Sequence, residues 1–281
     1  MTSQEKKQLQ IIACKVRMGI IESTHAAKCG HPGGSMSAAD MFTYLYFKEL
    51  NVDPANPKWE DRDRFVLSKG HCAPGLYAAL AHRGFFPVED LLKLRKVGSY
   101  LQGHPNMNTV PGVDMSTGSL GQGISTACGM ALAGKLKNSS RRVYTLLGDG
   151  EIQEGQVWEA CMFASHYGLD NLCVIVDNNG LQIDGEVAKV MSPYPIVEKM
   201  QAFGFEVEVI DGHDFDQIEA AFNKAKEVKG KPFGIVMKTI KGKDVSFMEN
   251  NAGWHGKGPN DAECEQAMND LRAVLAELEA N

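Results

Sequence analysis

The sequence lacks the features that mark secreted, membrane-spanning and zinc-binding proteins. Its first ten residues, MTSQEKKQLQ, contain no apolar stretch of the kind found in signal peptides. No apolar run approaches the roughly 20 residues that a transmembrane helix requires. The seven cysteines are scattered and form no Cys-x-x-Cys pair, which argues against a zinc site or a disulfide framework. We therefore expect a cytoplasmic protein with no membrane partner.

Neither sign of charge is in large excess. The chain has 29 basic and 35 acidic side chains and a formal net charge of -6. A nucleic-acid surface needs clustered basic side chains to neutralise phosphates, and the Lys/Arg runs here are short. We therefore expect no nucleic-acid partner. The 281 residues and the hydrophobic fraction of 43% are ordinary for a globular protein.

The second half of the chain alternates short apolar runs with helix-like segments. This alternation predicts an α/β fold, with three αβα layers around a mostly parallel sheet, in a single domain over residues 1–281. Ligands of such sheets bind at the carboxyl ends of the strands. The predicted strands are 64–68, 143–147, 172–176, 205–210 and 233–239, and the predicted helices are 1–25, 37–50, 75–82, 88–95, 124–136, 157–166, 196–203, 215–228 and 261–279.

Two polar loops directly follow neighbouring predicted strands. Gly148-Asp149-Gly150-Glu151 comes after VYTLL, and Asp177-Asn178-Asn179-Gly180 comes after LCVIV. Because adjacent parallel strands lie about 4.8 Å apart, the two loops can meet over one ion. A carboxylate, an amide oxygen and a backbone carbonyl suit Mg²⁺ or Ca²⁺, and the glycines allow a phosphate to approach the backbone. Each loop could be a simple turn, but the pair favours a metal–diphosphate site.

This pair of loops is typical of thiamine diphosphate enzymes, and other motifs narrow the resemblance. The chain resembles the N-terminal, diphosphate-binding half of transketolase, with the motifs in family order over nearly its whole length. The resemblance implies thiamine diphosphate and Mg²⁺ as cofactors, with Ca²⁺ or Mn²⁺ able to replace Mg²⁺. The matching stretches are GHPGG (30–34), DRFVLSKGH (63–71), GHP (103–105), STGSLGQG (116–123), GDGEIQEG (148–155), DNNGLQIDG (177–185) and WHGKGP (254–259).

The resemblance also implies roles for individual residues. The metal ligands would be Asp149, Asn179 and the carbonyl of Leu181. The cofactor-binding residues would be His71, Gly118, Leu120, Gly150, Glu151 and Asn179. The catalytic residues would be His31, His104, His255 and Glu154, the last matching a buried glutamate in a carboxylate network that spans subunits in the family.

The histidines fall into two groups. His31, His71 and His104 each follow a glycine in a predicted loop, and His255 lies in a glycine-rich loop. This repetition is unusual for structural histidines, and such imidazoles could bind sugar hydroxyls and transfer protons. The other four match no motif and are expected at surface or helix positions; they are His25, His82, His166 and His213.

Full-length transketolases are more than twice as long as this chain. Their second half carries the glutamate that activates the cofactor, aromatic residues around its pyrimidine ring and most contacts to the substrate phosphate. The resemblance therefore predicts a split enzyme, in which a separate C-terminal, pyrimidine-binding subunit completes the site in a heterotetramer with two copies of each chain. The alternative is that the sequence is a shortened piece of a longer enzyme.

The expected reaction moves a two-carbon ketol unit from a ketose, typically phosphorylated, to an aldose. Three alternatives stay open. The chain could belong to a deoxyxylulose-phosphate synthase or a 2-oxo-acid dehydrogenase, although His31, His104, STGSLGQG and WHG favour transketolase. It could serve a transketolase specialised for an unusual sugar, such as a sulfonated or branched one. It could also be a non-catalytic protein that has kept the fold, although all the expected site residues are present.

Overall fold

A five-stranded parallel sheet forms the centre of the protein, which we describe from a computed structural model of residues 1–280. The strand order is β1-β2-β3-β7-β6, and β4 and β5 form a separate antiparallel hairpin. The strands are β1 Arg64–Leu67, β2 Val143–Gly148, β3 Leu172–Asn178, β4 Leu181–Gln182, β5 Gly185–Glu186, β6 Glu206–Asp211 and β7 Phe233–Lys238.

Helices flank the sheet and connect its strands. A π-helical turn, Leu45–Glu49, extends α3, and 3-10 turns occupy Gly70–Cys72, Val88–Lys93, Glu151–Gln153 and Ala252–Trp254. The helices are α1 Ser3–Ala27, α2 Pro32–Ser37, α3 Ala39–Tyr44, α4 Ala73–Arg83, α5 Gln122–Leu136, α6 Gly155–His166, α7 Val187–Val190, α8 Ile196–Ala202, α9 Phe215–Glu227 and α10 Asp261–Ala280.

The two faces of the sheet bury two separate hydrophobic cores. Along β3, Cys173 and Ile175 point into one core, while Val174 and Val176 point into the other. Strands covered on both faces have no polar side, which is why β3 reads as an uninterrupted apolar run. Helices α1, α3, α4, α9 and α10 contribute to the first core, and α5, α6 and α8 contribute to the second. The predicted three-layer αβα architecture is thus confirmed.

The ends of the central strands align. Gly148, the last residue of β2, pairs with Asp177 of β3, and Asn178 pairs with Lys238 at the end of β7. The loops after three neighbouring strands therefore open at one edge of the sheet. The β4–β5 hairpin and α7 lie at this edge and have no counterpart among the predicted elements, because two-residue strands and a four-residue helix carry no readable periodicity. Within residues 1–280, no helix is long and apolar enough to cross a bilayer.

Candidate active site

A buried ion pair lies at the carboxyl ends of the central strands. The ammonium of Lys69, just after β1, contacts the carboxylate of Asp177, and both side chains are almost completely excluded from solvent. Burial opposes ionisation of Asp177, but the charge of Lys69 and the hydrogen bonds from Lys69, Ser37 and Thr239 together hold the pKa of this carboxyl below its usual value. The Lys69 ammonium also donates to the Gly34 carbonyl at 3.0 Å, so the pair links β1, β3 and α2.

Hydroxyl and amide groups complete the shell of Asp177. The Ser37 hydroxyl donates to Asp177 Oδ2 at 2.6 Å, and the Thr239 hydroxyl donates to Oδ1. The Asn179 amide nitrogen donates to Oδ2 at 3.1 Å, which leaves Asn179 Oδ1 turned to the other side. There Oδ1 accepts from the Leu181 backbone N–H at 3.1 Å. Asp177 thus fixes the orientation of a predicted metal ligand.

Asp149 joins the two loops that the sequence singled out. Its Oδ2 accepts from the Gly180 N–H at 2.6 Å and from the Asn178 side-chain amide at 3.0 Å, and its Oδ1 accepts from the Gly150 N–H at 2.9 Å. Burial and the nearby charge of Asp177 raise the pKa of Asp149. A bound cation would favour its ionised form, since it would offset this charge repulsion.

The three predicted ligands offer only oxygen atoms to a cation. They are one carboxylate on Asp149, one amide on Asn179 and one backbone carbonyl on Leu181, a donor set that suits a hard divalent ion. Within residues 1–280, no cluster of three or more His, Cys, Asp or Glu side chains is arranged to hold a metal. A cation here would therefore depend on additional oxygens, which a diphosphate can provide. The residues present fit a metal–diphosphate group.

A cleft of about 190 Å³ lies over these oxygens. Lys69 and Lys241 place positive charge in its wall, and the backbone of Gly148 and Gly150 allows close approach. Gly118 lies against the ring of His104, and neither of these two predicted site residues lines the cleft itself. The predicted site residues that line the cleft are His71, Leu120, Asp149, Gly150, Glu151, Glu154, Asn179, Leu181 and His255.

Glu151 has a structural task within this wall. Its Oε1 accepts from the Ser68 hydroxyl at 2.5 Å and from the Gly121 N–H at 3.0 Å, and its Oε2 accepts from the Gly148 N–H at 3.0 Å. The carboxylate is buried, and these bonds join the segments that follow β1, precede α5 and end β2. Glu151 therefore shapes the cleft by holding its loops together.

The four motif histidines form one cluster beside the cleft. The His31 ring centroid lies 5.2 Å from that of His71, 5.6 Å from that of His255 and 6.3 Å from that of His104, and the His71 and His255 rings stack at 5.0 Å. Burial, then the charges of Arg95 and His104, lower the pKa of His31 to about 4. Burial, then Lys241, lower the pKa of His255 to about 3. Burial also lowers the pKa of His71 and of His104, so all four rings favour the neutral form at pH 7.

Lys241 is a site residue that the sequence reasoning missed. Its buried ammonium donates to the Leu181 carbonyl at 3.0 Å and to His255 Nδ1 at 2.9 Å. Because His255 Nδ1 accepts this bond, its ring proton must be on Nε2. The feature of the sequence that could have predicted it is the position of this lysine in the glycine-containing loop IKGKD, which follows a strand that ends at the site.

Glu154 occupies a different environment from the other predicted catalytic residues. It precedes α6 at the rim of the cleft and is exposed in this chain. Leu120, also on the rim, is 38% exposed. The rim of the cleft therefore carries one exposed carboxylate and one exposed apolar side chain.

Known proteins share this fold and resemble this sequence. The family model for the thiamine diphosphate-binding domain of transketolase matches residues 8–273. The chain belongs to the transketolase family. Transketolase from Campylobacter jejuni superposes with a TM-score of 0.89 at 32% identity, over 99% of this chain and 46% of that one.

Relatives within the transketolase family fall into two length classes. The 6-deoxy-6-sulfo-D-fructose transketolase subunit SqwG of Clostridium sp. (strain MSTE9) is 46% identical, over 90% of this chain and 92% of that one. An apulose-4-phosphate transketolase subunit of Phocaeicola vulgatus is 40% identical, over 96% of both chains. Human transketolase is 42% identical over 97% of this chain, but the match spans only 43% of the human protein.

Removing the ammonium of the central ion pair should destabilise the fold. Lys69→Met leaves the buried Asp177 carboxylate unpaired, so we expect a loss of about 3–5 kcal/mol in the free energy of unfolding, measured with urea. The double variant Lys69→Met/Asp177→Asn should recover part of it, because the buried charge is gone. Lys58→Met, at an exposed lysine, is the matched control and should change stability by less than about 0.5 kcal/mol. A Lys69→Met loss below about 1 kcal/mol would refute the role of this pair.

The ring of His31 should titrate near pH 4 in the folded chain, against about 6.5 in the unfolded chain. Since the unfolded chain takes up this proton first, the contribution of His31 to folding stability should decline as pH falls from about 6.5 to about 4. NMR titration of the imidazole, assigned with His31→Asn, measures the midpoint. A midpoint near 6.5 would show that the ring is not shielded as described.

Proposed function

We propose that this chain is the diphosphate-binding subunit of a transketolase that uses thiamine diphosphate and Mg²⁺. The convergence of Asp149, Asn179 and Leu181 beneath a cleft lined by Lys241 and neutral histidines carries this proposal. Asp149, Asn179 and Leu181 would hold the cation, and Gly150 and Lys241 would face the diphosphate. Residues 1–281 would form a single domain.

The cofactor would supply an electron sink for breaking and making the carbon–carbon bond beside a ketose carbonyl. The chain's own residues would position the sugar. His255 would donate from Nε2, because Nδ1 is occupied by Lys241. His31 Nδ1 is buried and has no hydrogen-bond partner among residues 1–280. A neutral imidazole can donate a hydrogen bond from one ring nitrogen and accept one at the other. This suits it to the transfer of hydroxyl protons.

A separate C-terminal subunit would complete the site, in a heterotetramer with two copies of each chain. Two observations support this. The relatives matched over most of both chains are named as transketolase subunits, whereas the human enzyme is more than twice as long. Glu154 and Leu120 also lie exposed on the rim, where a partner could bury them.

The substrates would be sugars that carry an anionic group. Phosphorylated ketoses and aldoses are the first candidates, as implied by the name of the apulose-4-phosphate relative. A sulfonated sugar is the second candidate, favoured by the 46% identity to the sulfofructose transketolase subunit. Both would undergo the same two-carbon transfer.

Removal of the Asp149 carboxylate should abolish metal-dependent cofactor binding. Asp149→Ala should weaken the affinity for thiamine diphosphate with Mg²⁺ by at least about 100-fold in calorimetric titration, because it deletes the only carboxylate in the donor set. Asp216→Ala, at an exposed aspartate on α9, is the control and should bind like the wild type. Equal affinity of Asp149→Ala and the wild type would exclude Asp149 from the metal shell.

Ketol transfer should require a second chain. The purified chain with thiamine diphosphate, Mg²⁺, a ketose phosphate and an aldose phosphate should give no product above background. Addition of a chain that resembles the second half of transketolase should restore transfer, because that half would supply the cofactor-activating glutamate. Full transfer by this chain alone would rule out the split arrangement. Turnover of pyruvate without ketol transfer would overturn the assignment of the reaction.

A further inference from the structure

His213 differs from its expected position. The sequence predicts a surface or helix site, but this expectation is wrong, because His213 lies in the loop between β6 and α9 with a side chain only 15% exposed. Both ring nitrogens are engaged. Nδ1 lies 2.7 Å from Asp40 Oδ2, and Nε2 lies 2.9 Å from the backbone nitrogen of Ile240.

The partners of His213 determine its tautomer. A backbone N–H can only donate, so Nε2 must be the unprotonated acceptor of the Ile240 bond. The ring proton is then on Nδ1, where it donates to the Asp40 carboxylate. The neutral imidazole thus connects a fixed carboxylate to the backbone immediately before Lys241.

Asp40 is itself fixed by a buried arginine. The Arg17 guanidinium donates to both oxygens of Asp40, at 3.2 and 2.5 Å, and both side chains are buried. The same guanidinium lies 3.4 Å from Asp244 Oδ2. Arg17 is therefore connected to segment 239–244 in two ways. It contacts Asp244 directly, and it is linked to Ile240 through Asp40 and His213.

The segment between these points has little freedom to shift. The Gly242 N–H donates to the Gly33 carbonyl at 3.0 Å. Gly242 has φ +75, and a Cβ atom there would lie 2.4 Å from the Met248 carbonyl oxygen. Lys241, between Ile240 and Gly242, reaches the Leu181 carbonyl and His255 from this path. Lys241 therefore lies between two anchored backbone positions, Ile240 on one side and Gly242 on the other.

We propose that His213 is a positioning residue for the cofactor cleft. By accepting from the Ile240 N–H while bound to Asp40, it fixes the segment that presents the Lys241 ammonium to the anionic end of the cofactor. His213 acts only through this segment and does not line the cleft. The proposal rests on the proposed thiamine diphosphate site.

Two conservative substitutions separate the two bonds of His213. In His213→Asn the amide nitrogen lies near the place of Nδ1, so the donor to Asp40 is kept and the acceptor for Ile240 is lost. In His213→Gln the amide oxygen lies near the place of Nε2, so the acceptor is kept. His166→Asn, at an exposed histidine at the end of α6, controls for the substitution itself.

The affinity for the cofactor and the hydrogen exchange of backbone amides should differ between His213→Asn and His213→Gln. In titrations of the full chain with thiamine diphosphate and Mg²⁺, we expect His213→Asn to bind about tenfold more weakly and His213→Gln to stay within about threefold of the wild type. Without cofactor, the amides of Lys241 and Gly242 should exchange hydrogen faster in His213→Asn but not in His213→Gln. In a Lys241→Met background, His213→Asn should cause no further loss of affinity.

Three results would overturn the proposal. They are wild-type affinity and exchange in His213→Asn, equal losses of affinity in the Asn and Gln variants, and an undiminished effect of His213→Asn in the Lys241→Met background. If His213→Asn fails to fold, ¹⁵N NMR of the wild-type imidazole tests the proposal instead. A ring protonated on Nε2 could not accept from the Ile240 N–H, and this result would overturn the proposal. If the wild type itself binds no cofactor, the proposed function fails, while the exchange measurements still test whether His213 holds the segment.

Discussion

The buried pair of Lys69 and Asp177 is the interaction on which the rest of the site depends. Two isolated charges in a protein interior would each cost several kcal/mol, so the pair requires a complete shell of hydrogen bonds. Ser37, Thr239 and Asn179 complete that shell around Asp177. Ser37 ends α2, while Thr239 and Asn179 directly follow β7 and β3. The hydrogen bonds to the Asp177 carboxylate therefore hold the ends of β3 and β7 and the end of α2 together.

The cleft combines fixed positive charge with neutral imidazoles. Burial disfavours protonation of His71 and His255, and the nearby ammonium groups of Lys69 and Lys241 act in the same direction. Because Lys69 is paired with Asp177, the Lys241 ammonium would be the group that faces the anionic end of the proposed cofactor, while the imidazoles would act as hydrogen-bond donors and acceptors toward sugar hydroxyls. This division of roles follows from packing cations and histidines into one poorly hydrated space.

Much of this site could be predicted from the sequence, for physical reasons. GDGEI and DNNGL follow short apolar runs that predict buried strands, and parallel pairing of these strands places Asp149 next to the loop of Asn179. Side chains whose partners lie far away in the chain were not predictable. The Glu151 carboxylate bonds to Ser68, the Lys241 ammonium bonds to Leu181, and His213 bonds to Asp40, across 83, 60 and 173 residues respectively. No local pattern encodes such contacts.

The most direct test of the account is a crystal structure of the chain grown with thiamine diphosphate and Mn²⁺, with the manganese located by its anomalous scattering. We expect one strong peak bonded to Asp149, to Asn179 Oδ1 and to the Leu181 carbonyl, with diphosphate oxygens completing the coordination and the Lys241 ammonium beside the diphosphate. A manganese peak bonded to other residues, or cofactor density outside this cleft, would contradict it.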